Sequence, residues 1–182
     1  MKTLVIHPED RTTDFLKTIY DGKGYTVITD RRLNLNDIIE KIKNHDRIMM
    51  LGHGCPNGLL LFTDIFMDRE FVKVLRTKDC VCIWCHANQY VEREGIRGFY
   101  TGMFISEVYE AWHYGIEISQ DNVTLSNEFF SFLLRDRIDH PEVLTEMKES
   151  YTGNCEVIKF NNARLYYKKD NSIIKSEKLS VL

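Results

Sequence analysis

The residues of this chain best suited to chemistry are a histidine and a cysteine that each close a short apolar run. Residues 47–51 lead into Gly52, His53 and Gly54, and residues 79–84 lead into Cys85, His86, Ala87 and Asn88. A free thiol is mostly protonated at neutral pH, and only the thiolate is a good nucleophile, so a reactive cysteine needs a base or cation beside it. An imidazole at a neighbouring strand end would meet that need, as thiol–imidazole pairs do in covalent catalysis. His53 is therefore the candidate base and proton carrier, and Cys85 the candidate nucleophile. Backbone amides aimed at a developing oxyanion are the usual means of stabilising it, and the N–H groups of Gly54 and Cys85 are placed to do so. Gly54 would also let the chain turn sharply beside His53.

These residues need a scaffold that ends several strands together. Residues 4–7 read as a strand closed by Pro8, and residues 14–20 as a short helix capped by Thr12 or Thr13. Residues 25–29 read as a β-branched strand. Asn36 is expected to cap a helix to about His45, with Ile38, Ile39 and Ile42 on one face, and residues 48–51 form the third strand. Strands alternating with helices in this way imply a parallel sheet covered on both faces. In such a sheet ligands gather at the carboxyl ends of the strands, where His53 and Cys85 would lie. Further on, residues 58–62 follow the turn at Pro56, Asn57 and Gly58 and read as a hairpin. A helix at 68–76, capped by Asp68, buries Phe71, Val72 and Leu75, and a wholly apolar strand occupies 81–84. A glycine- and aromatic-rich segment at 95–103 precedes a helix at 106–114. A helix at 127–137 buries Phe129, Phe130, Leu133 and Leu134, another runs from Pro141 to about Ser150, and 156–168 reads as a hairpin turning at Asn161 and Asn162.

A chain of 182 residues suits one domain with a sizeable core. At 43% hydrophobic and 28% charged it has the balance of an ordinary globular protein rather than a disordered one. A net charge of −3 with scattered cations, including Arg31, Arg32, Lys168 and Lys169 as solvated surface, calls for neither nucleic acid nor an acidic membrane. The first residues lack the apolar length of a signal peptide, and no run reaches membrane-spanning length. Five cysteines, three of them within residues 80–85, do not form a disulfide framework, and a cytoplasmic protein is expected.

An apolar strand ending in His53 and Gly54, followed by a second ending in Cys85, resembles the caspase–gingipain–separase group of cysteine peptidases (clan CD). Within the group the pattern is most similar to bacterial CHAT domains, where the histidine and glycine are followed by a small loop and a strand like Gly58, Leu59, Leu60 and Leu61. The likeness covers residues 1 to about 118. It implies a caspase-like three-layer α/β/α sandwich with a mostly parallel sheet, and residues from about 119 as an extension of the same single domain. It implies His53 as base, Cys85 as nucleophile, a peptide or protein substrate, no cofactor, and a possible regulatory protein partner. Trp84 stands where the group commonly has a small residue, so it is expected to crowd or line the substrate site. The glycine usual after the cysteine is replaced by Ala87 and Asn88, and Asn88 is expected to take the left-handed turn. Glu107 and Glu110 flank the segment after the site. An acidic residue near the site selects a basic side chain in this group, which nominates Glu107, with Glu92 and Glu94 as further candidates.

Two other readings stand beside the peptidase. One is a catalytically silent module of the same fold, with Trp84 and the missing glycine in its favour. The other is a zinc site drawn from His53, Cys55, Cys80, Cys82, Cys85 and His86. Cys80 and Cys82 alternate along a strand and should share a face turned away from Val81 and Ile83, and only Cys82 and Cys85 have the two-residue ligand spacing, so no metal ligand is assigned. His86 adjoins Cys85 but should point the other way. Cys155 reads as structural and Asp79 as marking the far end of its strand. Tyr109, Trp112, His113 and Tyr114 read as a helix packing on the sheet, and Met103, Phe104 and Ile105 as core. No glycine-rich phosphate loop follows any strand.

Overall fold

The computed structural model describes residues 1–30, 34–61, 64–65 and 69–169. The apolar runs fold as β1 (Thr3–Ile6), β2 (Thr26–Ile28), β3 (Arg47–Leu51), β7 (Asp79–Ile83), β8 (Arg97–Thr101) and β9 (Leu165–Lys168) of one sheet, in the order β2-β1-β3-β7-β8-β9. All neighbours are parallel except β8 and β9. A second, small antiparallel sheet follows β3: β4 (Gly54–Cys55), β5 (Gly58–Leu61) and β6 (Asp64–Ile65). The helices are a 3-10 helix (Arg11–Ile19), α1 (Leu35–Lys43), α2 (Arg69–Leu75), α3 (Ala87–Glu94), α4 (Val108–His113), α5 (Gln120–Arg137), α6 (Val143–Ser150) and α7 (Glu156–Asn162).

Successive strand residues face opposite sides of a sheet, and the core divides accordingly. Leu4, Ile6, Ile48, Met50, Cys80 and Cys82 pack under α1, α2 and α3 through Ile38, Ile42, Phe71, Leu75, Tyr90 and Val91. Val5, Met49, Leu51, Val81, Ile83 and Phe99 pack under the 3-10 helix, α5 and α6 through Leu16, Ile19, Phe130, Leu134 and Met147. The protein is thus a three-layer α/β/α sandwich. Every residue of β1 and β3 is buried, as expected of strands covered on both faces. Cys80 and Cys82 share one face and Val81 and Ile83 the other, as the alternation required.

Several elements depart from the sequence reading. Residues 87–94 form α3, whose Ala87, Tyr90 and Val91 have the helical i, i+3, i+4 spacing that the reading passed over. The glycine- and aromatic-rich segment contains β8. Its Gly98 has φ +124°, and a β-carbon there would strike the Cys80 backbone, so glycine is what lets β8 pair closely with β7. The expected terminal hairpin is a helix followed by a strand: Val157 and Phe160 face a third apolar cluster with Ile105, Ala111 and Val123, and only β9 pairs, with β8. The helix expected at 127–137 begins at Gln120, capped by Ser119. The first two helices are capped by Asp10 and Asn34, whose side chains accept from Thr12 N–H and Asn36 N–H, in place of Thr12, Thr13 and Asn36. Asp68, Phe62, Arg31 and Arg32 lie outside the described residues. Among the described residues, no helix is long and apolar enough to cross a membrane.

Candidate active site

β3 and β7 pair in parallel with a constant offset that sets Arg47 against Asp79 and Leu51 against Ile83. Gly52 N–H extends the ladder by donating to Ile83 C=O at 3.0 Å. His53 and Cys85 each lie two positions past this last pair, beyond the ends of β3 and β7. Leu51 and Ile83 both belong to the core under the 3-10 helix, and the contacts of His53 and Cys85 are made to segments on that side of the sheet. The His53 Nε2 atom lies 2.6 Å from Thr12 Oγ1 on the 3-10 helix. The Cys85 thiol donates to Phe104 C=O at 3.4 Å and lies 3.7 Å from a Glu110 carboxylate oxygen. Phe15 of the 3-10 helix stacks on Phe104 with ring centroids 6.4 Å apart, so the two anchoring segments touch. Among the described residues no hydrogen bond joins His53 directly to Cys85; each is turned to its own anchor.

Cys85 sits on a tight strand–turn–helix corner. Ala87 N–H donates to Trp84 C=O at 3.2 Å, His86 N–H donates to Gly102 C=O at 3.0 Å, and α3 begins at Ala87. The left-handed residue of this corner is His86, with φ 66°, and Asn88 lies within α3. Histidine adopts this conformation more readily than most side chains, so His86 takes the place in the turn that Asn88 was expected to fill. No described acceptor engages the Cys85 N–H. Leu60 N–H donates to His53 C=O at 2.8 Å, which makes the next pair, Gly54 and Leu59, a non-hydrogen-bonded one with the Gly54 N–H turned away from β5. Both expected oxyanion donors are therefore uncommitted by the ladder.

The electrostatics oppose a resting thiolate. Burial, then the Glu110 carboxylate and more weakly Glu107, push the Cys85 thiol up to about 12. Glu110 is itself buried and occupied: it accepts from Ser106 N–H at 2.8 Å and from Glu107 N–H at 3.1 Å, which caps α4. Sequence reasoning named Glu107; the structure puts Glu110 on the thiol and Glu107 at the N-cap of α4, hydrogen-bonded to Tyr109. Glu94 is paired with Arg76 and Arg93, and Glu92 is exposed on α3.

Trp84 is placed differently from its expected position at the substrate site. It is 2% exposed, lies on the opposite face from the Cys85 thiol, packs edge-on against Tyr90, and donates Nε1–H to Cys55 C=O at 3.2 Å. A β-carbon on Gly54 would collide with its indole ring. Gly54 has no positive φ, so glycine is needed there for this packing rather than for a sharp turn. Cys82 also lies on the Trp84 side of the sheet, so its spacing from Cys85 does not bring the two sulfurs together. Among the described residues, no three His, Cys, Asp or Glu side chains are grouped to hold a metal ion. The α4 aromatics do not pack on the sheet: Tyr109 and Trp112 are 59% and 61% exposed, and the helix buries Ala111 instead.

Two residues at this end of the sheet have roles that the sequence reading, which places His7 in a strand and Asn161 in a turn, does not assign. His7, at the end of β1, is 1% exposed and bridges Tyr20 OH at 3.0 Å and Thr13 Oγ1 at 3.1 Å. Burial, and then Lys17, hold it down to about 4, so it is neutral at pH 7. A histidine closing the first apolar strand was the available signal. Asn161 is fully buried and clamps the segment that receives the thiol: it accepts from Ile105 N–H at 2.8 Å and donates to Ile105 C=O at 2.9 Å.

No protein-family model matches this chain. No curated protein matches it. Among solved structures it is similar to the Trp repressor binding protein from Bacillus subtilis, at 16% identity and a TM-score of 0.37, over 56% of this chain and 83% of that one. That likeness says nothing of the site.

Proposed function

We propose that this chain is a cysteine peptidase of the caspase and CHAT kind, with Cys85 as nucleophile and His53 as base, held at rest by Glu110. What supports the reading is the register of β3 on β7, which ends with Leu51 against Ile83 on one face of the sheet, two residues short of His53 and of Cys85. Cys85 gives its proton to His53 and attacks a peptide carbonyl, forming the carbon–sulfur bond. The oxyanion rests on the N–H groups of Gly54 and Cys85. Collapse breaks the carbon–nitrogen bond, and the leaving amine takes the proton from His53. Water, deprotonated by His53, then cleaves the thioester and restores the thiol. No cofactor enters these steps.

A thiol held near 12, by burial first and by Glu110 second, is almost wholly protonated at pH 7, so moving Glu110 away would ease the transfer of its proton to His53. Glu110 rides on α4, whose exposed Tyr109 and Trp112 are where a regulatory partner would bear on it. The same contacts favour a second reading, a silent module in which Cys85 is a structural donor to Phe104 and Glu110. A peptidyl acyloxymethyl ketone separates the two. Covalent modification of Cys85 that is lost in His53→Ala supports the peptidase. Absence of labelling in both the native protein and Glu110→Gln supports the module.

A further inference from the structure

The environment of His53 has a directionality that fixes more than its position. The Thr12 hydroxyl has one proton, and it is donated to Asp10 Oδ1 at 2.7 Å. Thr12 Oγ1 can therefore only accept at its 2.6 Å contact with His53 Nε2. Nε2 must carry the ring proton, and Nδ1 is left as the lone-pair nitrogen. Among the described residues nothing hydrogen-bonds to Nδ1. We propose that Thr12, oriented by Asp10, is a positioning residue that holds His53 as its Nε2–H tautomer and so presents Nδ1 as the basic atom. The inference rests on His53 being the base of the reading above, and it names which nitrogen does the work.

The relay is built rather than incidental. Asp10 Oδ1 also accepts from Thr12 N–H at 2.9 Å, so the residue that takes the hydroxyl proton also sets the backbone carrying it. One position on, Thr13 donates to Asp10 C=O at 3.2 Å and meets buried His7 at 3.1 Å. The helix start is thus pinned to the end of β1, the strand next to β3. Gly52, which precedes His53, lies where a β-carbon would touch Pro8 and His7. Three neighbouring features, the end of β1, the first turn of the 3-10 helix and the end of β3, converge on the orientation of one imidazole.

The test uses full-length protein labelled with 15N-histidine, observed at about pH 8.5, above the ordinary imidazole range. Long-range proton–nitrogen spectra of native protein and Thr12→Ser should show His53 with a protonated Nε2 and a bare Nδ1. In the near-isosteric Thr12→Val the Nε2–H signal should be lost to solvent exchange, and labelling of Cys85 by the peptidyl electrophile should slow about 10-fold, with Thr12→Ser near native. An Nδ1–H signature in native protein, a Thr12→Val spectrum matching native, or a Thr12→Val labelling rate matching native would each overturn the proposal. If native Cys85 does not react at all, the peptidase reading falls while the ring signature still decides the tautomer.

Discussion

The Glu110 carboxylate lies 3.7 Å from the thiol of Cys85, the proposed nucleophile. A carboxylate beside a buried thiol disfavours the thiolate twice, by desolvation and by like charge. Replacing Glu110 by glutamine removes the charge and keeps an acceptor for Ser106 N–H and Glu107 N–H. The thiol of Glu110→Gln should titrate lower than native yet remain above the ordinary cysteine range, because burial is the larger cause. Alkylation by iodoacetamide at a fixed pH should be about 10-fold faster, one pH unit's worth of thiolate. A pH–rate profile superimposable on native would show that Glu110 is no restraint on Cys85.

His7 makes folding sensitive to acid. Its folded-state value of about 4 lies below the usual 6.5, so the unfolded chain binds the proton more readily. Lys17 pushes in the same direction as burial, and Asp14 and Asp10 against it. The contribution is complete above about pH 6.5 and is lost as pH falls towards about 4. The gap between these values, at about 1.4 kcal/mol per pH unit, caps the loss at about 3 kcal/mol. Urea unfolding at a series of pH values should show this slope in native protein and a flatter one in His7→Gln. Equal slopes would mean that His7 is not held neutral by the fold.

The sandwich and the two strand ends were legible in the sequence because they rest on local signals. Ile48 to Leu51 and Val81 to Ile83 are apolar at every position, and only doubly covered strands tolerate that. The 32-residue spacing of His53 and Cys85 could be read as a number, but not as the register of β3 on β7, which is a tertiary fact. Glu110 could be read in the sequence only as flanking the segment after the site, because a capping glutamate looks the same whether or not a thiol lies against it. The alternation that puts Cys80 and Cys82 on one face also puts Trp84 there, away from the Cys85 thiol, but what covers that face is not a local signal: its indole partner Cys55 C=O is 29 residues away in sequence. Asn161 beside Asn162 suggests a turn, whereas the structure uses the first asparagine as a buried clamp on Ile105.

That clamp leads to a test of how the thiol's acceptor is held. Asn161→Ala would leave the Ile105 N–H and C=O buried without partners, and would also remove the contact with Tyr151 OH at 3.4 Å. A cost of about 2–4 kcal/mol is expected from two orphaned backbone groups. Since Ile105 follows Phe104, the carbonyl that receives the Cys85 proton should loosen, and Cys85 should alkylate faster in the folded variant. Urea unfolding within about 0.5 kcal/mol of native, the range of a neutral surface change, would remove Asn161 from the list of structural anchors.

Gly54 and Trp84 tie the hairpin to the sheet, and through Leu60 N–H they hold the backbone of His53. A methyl group at residue 54 has no room while the indole stays where it is, and Trp84 is held there by Tyr90 and by the bond to Cys55 C=O. Gly54→Ala should therefore destabilise the protein by about 1–3 kcal/mol, the usual range for overpacking a filled core. Of the two tryptophans, Trp112 is 61% exposed and Trp84 is 2% exposed, so a Trp112→Phe background isolates the buried emission. In that background Gly54→Ala should shift emission to the red as the indole is displaced towards water. It should also slow labelling of Cys85, because His53 follows the hairpin. Unchanged emission with unchanged stability would mean that the indole does not rest on Gly54, and that the hairpin is held by something else.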